Sequence, residues 1–375
     1  MKVRKVLLYL GKFPGYGFDV DGGSILARRL IDMLKNKCYL DVVFIRKNNE
    51  EYFDKQVNSV RYVQYIDAKN NKFVRRLENL QTNREAIGDY HIYDTIITAH
   101  VSKFFGLEQE PKDFWDKTIL FPMFCTSSYK RAGEYVPSSY TDFENVVLSK
   151  VKKIICPSIS EKNDLIRDYN IASSKICVIP RGIPHFFYHA NDKSVSSSPQ
   201  IVYIGSIKPQ KNNIDAIKVL NCLRKLGVNA QLHMICTIQD EGIYQNLQKY
   251  IISHALRPYV HFHFEQKQEE VADLLHKMDI SISVSNWETF GRGIYEGIVS
   301  ELPTYVYENL TDVRQFCNGN IGVTFVKNHL DMAYEINKII GTPQLYIQKV
   351  AALKLLKEKI SYENEERLLL NAILL

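Results

Sequence analysis

The sequence predicts an α/β protein built from two domains in series, each a parallel sheet covered by helices. Three observations support this. Strand-like runs alternate with helical patterns, the alternation occurs in two series, and the 375 residues exceed the roughly 100–200 of a usual domain. Between the two series, residues 181–199 are rich in serine and proline, which is typical of a linker. Ligands of such sheets bind at the carboxyl ends of the strands, so we expect two domains that face each other across a cleft.

The two series contain thirteen apolar runs that predict strands. Seven lie in the first half, at 5–10, 40–46, 60–66, 94–100, 118–124, 152–156 and 175–180. Six lie in the second half, at 201–206, 230–236, 259–264, 280–285, 304–308 and 322–326. Between them apolar residues recur at helical spacing, as in SILARRLIDMLKN. We predict four segments: a first domain over 1–185, a linker over 186–199, a second domain over 200–345, and a helical tail over 346–375 that can pack back on the first domain.

The composition favours a globular protein in a reducing compartment. Of the residues, 45% are hydrophobic and 24% are charged, and no apolar run approaches the roughly 20 residues of a membrane span. The basic start is followed by VLLYL, which is shorter than the apolar part of a signal peptide and predicts a first strand instead. The seven cysteines are scattered without a CxxC pair, which favours free thiols over disulfides or a zinc site. We therefore expect a cytoplasmic protein.

Positive charge is concentrated in the first half of the chain. Residues 1–185 hold 29 Lys and Arg against 22 Asp and Glu, whereas the remainder holds 19 against 20. This balance favours an anionic partner for the first half, such as a lipid surface, an acidic polymer or a phosphate-bearing acceptor; an ordinary basic surface is the alternative. We expect no nucleic-acid partner, and the sequence leaves the oligomeric state open.

The segment KNNKFVRRLENL has the pattern of a short amphipathic helix. It places three basic residues on one side and three apolar residues on another: Lys69, Lys72 and Arg76 against Phe73, Leu77 and Leu80. Such a helix can rest on an anionic membrane, which would make the protein peripheral at the inner face; a merely solvated face is the alternative.

The stretch SNWETFGRGIYEGIVSELP, residues 285–303, places two carboxylates eight positions apart in a segment that otherwise reads as buried. Gly291 and Gly293 permit a tight turn, and the helix that follows offers free N–H groups to an anion. Glu288 lies in the turn, where it can accept hydrogen bonds from sugar hydroxyls. Glu296 lies on the helix, where a buried carboxylate needs partners. Ribose hydroxyls would serve; an ion pair with a lysine or arginine of the same domain is the alternative.

These motifs together resemble a known family, the retaining glycosyltransferases of the two-Rossmann-domain GT-B fold that carry an E-x7-E motif (glycosyltransferase family four, or group one glycosyl transferases). The resemblance extends over nearly the whole chain. It rests on five stretches in the order and spacing of the family: DGGSILARRLIDML, CPSISEKNDLIRDYNI, KICVIPRGIPHFF, VYIGSIKPQK and MDISISVSNWETFGRGIYEGIVSELPTYVY.

The resemblance implies a role for each matching residue. It assigns Glu288 to the donor sugar, Glu296 to the ribose and Lys211 to the diphosphate, where a cation stabilises the leaving group. The remaining donor-site positions are those of the turn and of the two loops: Thr289, Phe290, Gly291, Arg292, Ser206, Gly22 and Gly23. Ser206 stands where the family usually has arginine. Lys208 or Arg292 could replace that cation, although a lysine cannot copy a bidentate guanidinium.

Two first-domain features have plain structural alternatives. The glycines Gly22 and Gly23 would bring bare backbone to a phosphate, or they form an ordinary turn before a helix. His100 follows a predicted strand, where the resemblance puts a histidine near the reacting carbon; a histidine that caps a loop is the alternative.

The resemblance implies transfer of a hexose-type sugar, with retention, from a nucleoside diphosphate sugar to a hydroxyl group. UDP is the favoured nucleotide, and the acceptor is expected to be a glycan, a lipid-linked glycan or a cell-surface polymer precursor, held by the first domain. Such enzymes need no protein nucleophile, no metal and no cofactor beyond the nucleotide-sugar co-substrate. Positioning and charge stabilisation supply the catalysis, with His100, Lys211 and Glu288 at the reaction centre.

Two alternatives compete with this interpretation, and one further pair of residues has a separate possible role. A nucleotide-sugar epimerase would need more acids and histidines than His100 alone. A non-catalytic binding subunit, which recognises a glycan or supports a partner transferase, is favoured by Ser206 in place of arginine. His261 and His263 alternate on one predicted strand and could form a metal pair, but no cluster of further ligands lies nearby in the sequence.

Overall fold

The computed structural model of the protein describes residues 3–10, 22–46, 54–64, 78–123, 125–131, 133, 135–189 and 195–374. The chain divides into two compact domains. The first consists of residues 1–180 together with 366–375, and the second consists of residues 181–365. Each is an α/β domain with a single parallel sheet, which confirms the predicted fold class.

The first sheet has seven parallel strands in the order β3-β2-β1-β4-β5-β6-β7. These strands are β1 (Lys5–Leu10), β2 (Tyr39–Arg46), β3 (Ser59–Gln64), β4 (Thr95–Ala99), β5 (Thr118–Phe121), β6 (Lys153–Cys156) and β7 (Ile176–Val178). The chain leaves β1 toward β2 and β3 and then returns to place β4 on the other side of β1. The carboxyl ends of β1 and β4 are therefore the point where the strand order reverses, where ligands of such sheets bind.

Helices connect the strands of the first domain on both faces of its sheet. They are α1 (Gly22–Leu34), α2 (Glu78–Ile87), α3 (Lys112–Trp115), α4 (Thr126–Arg131), α5 (Ser138–Lys150) and α6 (Ile159–Tyr169). Residues of α1 pack on one face of the sheet, and residues of α2, α3, α5 and α6 pack on the other. Burial of both faces explains why strands such as β1 read as continuous apolar runs and not as alternating ones.

The second sheet has six parallel strands in the order β10-β9-β8-β11-β12-β13. These strands are β8 (Gln200–Ile204), β9 (Gln231–Cys236), β10 (Val260–Phe264), β11 (Ile280–Ser283), β12 (Thr304–Tyr307) and β13 (Val323–Val326). The strand order reverses between β8 and β11, which are neighbours, with Ile201 opposite Ile280. All thirteen predicted strands are thus present, each with bounds within a few residues of the prediction.

Helices again cover both faces of the second sheet. They are α7 (Asn213–Lys225), α8 (Glu241–Ser253), α9 (Gln268–Leu275), α10 (Arg292–Val299), α11 (Thr311–Cys317), α12 (His329–Ile340) and α13 (Pro343–Leu353), after which α14 (Tyr362–Leu374) ends the chain. Residues of α7, α8, α12 and α13 pack on one face, and residues of α9, α10 and α11 pack on the other.

The predicted linker was placed too late in the chain. The domains divide between Pro180 and Arg181, not at 186–199. Ile183 pairs with Ser361 across an isolated bridge, and Phe187 is buried in the core of the second domain. The apolar part of this segment therefore belongs to the second domain, whose core Phe187 helps to fill.

The predicted helical tail over 346–375 is divided between the two domains. Residues up to 365, including α13, belong to the second domain, and only residues 366–375 belong to the first. Leu369 and Ile373, in the last turns of α14, are buried with α1 in the core of the first domain. The C-terminal end of the chain thus completes that core.

Two sequence predictions concern membranes. The basic residues of the predicted amphipathic helix, Lys69, Lys72 and Arg76, lie outside the described residues. Within the described parts of the chain, no helix has the length and apolar character needed to cross a bilayer.

Candidate functional site

The turn after β11 delivers the predicted glutamate-containing motif to the carboxyl edge of the second sheet. Gly291 forms the N-cap of α10 with φ 78° and ψ 48°, in the left-handed region that favours glycine. A Cβ at this position would also lie 3.3 Å from Cγ of Glu288 and 3.1 Å from Cδ1 of Ile294. Glycine is therefore needed both for the turn and for the position of the Glu288 side chain.

The first turn of α10 lies directly against the end of β8. A Cβ added to Gly293 would lie 2.8 Å from Cβ and 3.0 Å from the carbonyl oxygen of Ile204, the last residue of that strand. The loop that follows β8 begins with Gly205 and Ser206. The free N–H groups of α10 therefore open beside this loop, as a phosphate-binding site requires.

Glu288 and Lys211 meet at this edge as an ion pair. The Lys211 Nζ donates to Glu288 Oε1 over 2.5 Å, and the Ser285 hydroxyl donates to the same oxygen over 2.7 Å. The side chains are only 16% exposed for the lysine and 10% for the glutamate. The Lys211 chain also passes 3.4 Å from the Cβ that Gly205 lacks. The structure thus brings the predicted diphosphate cation and the predicted sugar carboxylate together.

Glu296 is held by an arginine of its own helix. Arg292 Nε donates to Glu296 Oε1 over 2.7 Å, and Arg292 Nη2 donates to Gln268 Oε1, also over 2.7 Å. The Glu296 side chain is only 8% exposed. The structural alternative for Glu296, an ion pair within the domain, is therefore present in this structure. It leaves the second carboxylate oxygen without a hydrogen bond from the described residues.

Ser206 lies just after the end of β8 and is hydrogen-bonded to two neighbouring segments of its own domain. Its hydroxyl accepts a hydrogen bond from Thr237 over 3.2 Å, and its carbonyl accepts one from Asn213 over 3.1 Å. Tyr203 links Asn213 to Lys211. Its hydroxyl accepts a hydrogen bond from the Asn213 side chain over 3.0 Å and donates to the Lys211 carbonyl over 3.2 Å, and the residue is fully buried. Burial, followed by the nearby Glu288 charge, raises the pKa of Tyr203 well above its usual value, so the phenol stays neutral.

The other two residues of the predicted turn differ in burial. Phe290 is buried and stacks on Tyr295 with ring centroids 4.4 Å apart, which anchors the turn on α10. Thr289 is half-buried.

Three residues of this site were not predicted from the sequence: Tyr203, Gln268 and Ser285. Ser285 lies within the quoted motif, but Gln268 comes from α9 and only the packing of α9 beside α10 brings it to Arg292.

The remaining predicted residues, Gly22, Gly23 and His100, belong to the first domain. Gly22 and Gly23 begin α1, and the loop before them lies outside the described residues. His100 directly follows β4 with φ 81° and ψ 131°, an uncommon backbone for a residue with a side chain. Its Nδ1 accepts from the Ser102 N–H over 3.1 Å and lies 2.6 Å from the Ser102 hydroxyl. His100 thus caps the following turn at the strand-order reversal of the first sheet.

The paired histidines of β10 form a hydrogen-bonded ladder with β9. His233 contacts His263 over 3.0 Å and Gln200 over 2.8 Å, and His261 contacts Gln231 over 2.9 Å. Burial, followed by the two neighbouring histidines, lowers the pKa of His233 to about 4. No group of three or more metal-ligating side chains occurs among the residues that the structure describes. All seven cysteines are free, as predicted.

Comparisons with known proteins agree with this geometry. Residues 187–350 match the family model described as glycosyl transferases group 1. No curated protein matches the chain in sequence.

Solved structures match the fold along nearly the whole chain. Sucrose-phosphate synthase from Thermosynechococcus elongatus superimposes with a TM-score of 0.79 at 15% identity, covering 98% of each chain. HepE of Anabaena, in complex with UDP and glucose, has a TM-score of 0.76 at 13% identity, covering 99% of each chain. WaaG, a glycosyltransferase involved in lipopolysaccharide biosynthesis, has a TM-score of 0.74 at 15% identity, covering 98% of this chain and 99% of WaaG. Residues 187–350, which make up most of the second domain, are thus similar to the group 1 glycosyl transferases, and the two domains have the GT-B fold of the solved structures.

Proposed function

We propose that the protein transfers a hexose-type sugar from a nucleoside diphosphate sugar to an acceptor hydroxyl, with retention of configuration and without a metal. The observation that carries the proposal is the Lys211–Glu288 pair beside the first turn of α10. A cation, a carboxylate and free helical N–H groups converge where the strand order of the second sheet reverses. These are the groups that a diphosphate attached to a sugar would need.

In this mechanism the protein positions the donor and stabilises charge. The N–H groups of α10 and Lys211 would hold the diphosphate, so that negative charge on the leaving group is stabilised as the glycosidic bond breaks. The leaving phosphate stays on the same face of the sugar and accepts the proton of the incoming hydroxyl. The oxygen of that hydroxyl bonds to the anomeric carbon from this face as the bond to phosphate breaks, so the configuration is retained. Glu288 would orient the sugar through its hydroxyls, and Glu296 would bind the ribose. No protein nucleophile is required.

We favour UDP as the nucleotide of the donor. HepE, whose fold this chain shares at 12–13% identity, has been solved with UDP, with UDP and glucose, and with UDP-glucose. Those ligands belong to HepE, and the identity is low, so UDP is the first nucleotide to test. Other nucleotides belong in the same screen.

We assign the acceptor to the first domain. This half of the chain carries the excess of positive charge, 29 Lys and Arg against 22 Asp and Glu over residues 1–185. A glycan, a lipid-linked glycan or a cell-surface polymer precursor with anionic groups suits that charge. An acceptor of this kind would place the enzyme in the cytoplasm, at the inner face of the membrane. His100 would then contribute from the end of β4 as a catalytic residue.

The test is donor binding and donor hydrolysis by the purified chain. UDP- and GDP-sugars are screened by calorimetry and by release of free nucleotide. We expect Lys211→Met to weaken donor binding about 10- to 100-fold, because a charge-assisted contact to phosphate is lost. Glu288→Gln is expected to keep binding but to lower hydrolysis about 100-fold, because the sugar loses its orientation. Lys225→Met, an exposed lysine at the end of α7, is the matched control.

A non-catalytic binding subunit is the second candidate, favoured by Ser206 in place of arginine. It predicts that a glycan binds but that no nucleotide sugar is bound or hydrolysed. Failure of every nucleotide sugar to bind the wild-type chain would reject the transferase proposal and leave this alternative.

A further inference from the structure

Both carboxylates of the candidate donor site are occupied by cations of the protein itself. Glu288 pairs with Lys211 at 2.5 Å, and Glu296 pairs with Arg292 at 2.7 Å. Among the described residues neither glutamate has a second ion-pair partner, and neither cation has another acid. In this structure one oxygen of each carboxylate, the Lys211 ammonium and two nitrogens of the Arg292 guanidinium are therefore engaged within the protein.

The backbone of Arg292 lies near that of Ser206, and Ser206 occupies the position at which the family usually has arginine. Gly293, the residue after Arg292, lies against Ile204, and Ser206 follows Ile204 by two residues. The Arg292 side chain is 22% exposed and uses Nε and Nη2 in its two hydrogen bonds, which leaves Nη1 for a further partner. The planar guanidinium of Arg292 is thus present beside the loop in which Ser206 stands in place of the family's arginine.

We propose that the diphosphate of the donor exchanges both ion pairs: Lys211 and Arg292 move to the phosphates, which frees Glu288 for the sugar and Glu296 for the ribose. Arg292 then supplies the second phosphate cation that Ser206 cannot. This inference rests on the proposed donor site and adds the mechanism by which the site becomes competent. It also explains why an acid occupies the otherwise buried segment GIYEGIVS.

The exchange is favourable because each of the four charged groups keeps a partner of suitable chemistry. A diphosphate offers more negative charge and more acceptor oxygens than one carboxylate, and a guanidinium matches phosphate in a bidentate manner. The carboxylates that are released would be costly to leave bare at 8–10% exposure. Hydroxyl groups of the sugar and of the ribose replace the lost donors. Phosphate recognition and ribose recognition are therefore coupled through Arg292.

The coupling predicts different changes in affinity for uridine and UDP, which differ only in the diphosphate. Uridine has no phosphate to attract Arg292, so it must compete with that arginine for Glu296 and binds weakly. UDP attracts Arg292 and gains Glu296. In Arg292→Gln, we expect UDP to bind at least tenfold more weakly, whereas uridine binds equally well or more tightly. The ratio of the two affinities, measured by calorimetry with GDP and ADP and their nucleosides in parallel, is the readout.

The double variant Ser206→Arg/Arg292→Gln gives a positive test that misfolding cannot imitate. This variant has a guanidinium at position 206, where the family usually has arginine, and its Glu296 has no arginine partner on α10. We therefore expect it to regain most of the UDP affinity that Arg292→Gln alone loses. Arg314→Gln, an exposed arginine on α11, is the control and should leave both ligands unaffected.

The outcomes also distinguish this inference from the proposed function. Suppose that wild type binds UDP and that Lys211→Met weakens this binding, but that Arg292→Gln changes the affinities for UDP and uridine equally or not at all. The proposed exchange of ion pairs would then be wrong, whereas the proposed donor site would still be supported. Absence of any nucleoside diphosphate binding by wild type would overturn both. Failure of the double variant to recover affinity would refute the replacement of the missing arginine by Arg292.

Discussion

His100 combines a candidate functional position with an unfavourable backbone. Its φ of 81° with ψ of 131° is a conformation that side chains rarely adopt and that costs about 1–3 kcal/mol. The capping hydrogen bonds to Ser102 offset part of this cost. The strained backbone of His100 thus coincides with the end of β4, the position from which we propose that His100 acts.

Replacement of His100 separates strain from function. His100→Gly relieves the strain and loses the cap, worth about 1 kcal/mol, so we expect its stability to equal or exceed that of wild type. His100→Ala loses the cap and keeps the strain, so it should be the less stable of the two by about 1–3 kcal/mol. Both variants should lose sugar transfer.

The stability is measured by urea unfolding in a Trp287→Phe background, where Trp115 reports the first domain alone. Equal midpoints for the two variants would show that the backbone of His100 is not strained. Unchanged transfer in either variant would remove His100 from the catalytic residues.

At the scale of elements, the site depends on how closely α10 approaches β8. Gly293 allows that approach, because a Cβ there would meet Ile204 of β8, and Gly297 allows a similar approach to β11, because a Cβ there would lie 2.6 Å from the Ser281 hydroxyl. The helix that carries Arg292 and Glu296 is thus seated by two glycines four residues apart. The position of both charged groups follows from that seating.

Substitution of Gly293 tests this seating. Gly293→Ala places a methyl group against the Ile204 backbone, which cannot move aside as a flexible side chain would, so α10 must shift. We expect a loss of about 1–3 kcal/mol in stability of the second domain, together with weaker binding of UDP. Binding is measured by calorimetry and stability by the emission of Trp287.

Gly341→Ala, at the C-cap of α12, is the matched control. A Cβ there would have only ordinary contacts, 3.6 Å and longer, and the φ of −76° suits alanine. Wild-type UDP binding by Gly293→Ala would mean that the first turn of α10 need not lie against β8.

At the scale of the whole molecule, the end of the chain belongs to the domain where the chain begins. Leu369 and Ile373 in α14 pack with α1 against the first sheet, although some 185 residues of the second domain separate them from Pro180. The first domain is therefore not complete until the last helix has been added.

Truncation of one buried side chain in this helix should weaken the first domain. Leu369 is fully buried, so we expect Leu369→Ala to lower stability by about 2–5 kcal/mol. The transition reported by Trp115 should move to lower urea concentration. Leu355→Ala removes a leucine that is 76% exposed and should have little effect. An unchanged Trp115 transition in Leu369→Ala would contradict the assignment of α14 to this core.

The sequence by itself determined the fold class, the thirteen strands and the region of the candidate donor site. Apolar runs separated by helical patterns predict strands and helices from local sequence, and they place the turn that carries Glu288 between a strand and a helix. Glu288 and Lys211 were named from motifs far apart in the chain. They meet because they follow the adjacent strands β11 and β8 at the same sheet edge.

Only the tertiary structure decided the domain boundary and the partners of the charged groups. Phe187 and Leu369 lie in segments whose composition does not reveal which core they fill. The bond from Arg292 to Gln268 depends on the packing of α10 beside α9, and the left-handed φ of His100 depends on the path of the chain after β4. Local patterns determine which elements form, whereas contacts between distant segments determine how a buried charge is compensated.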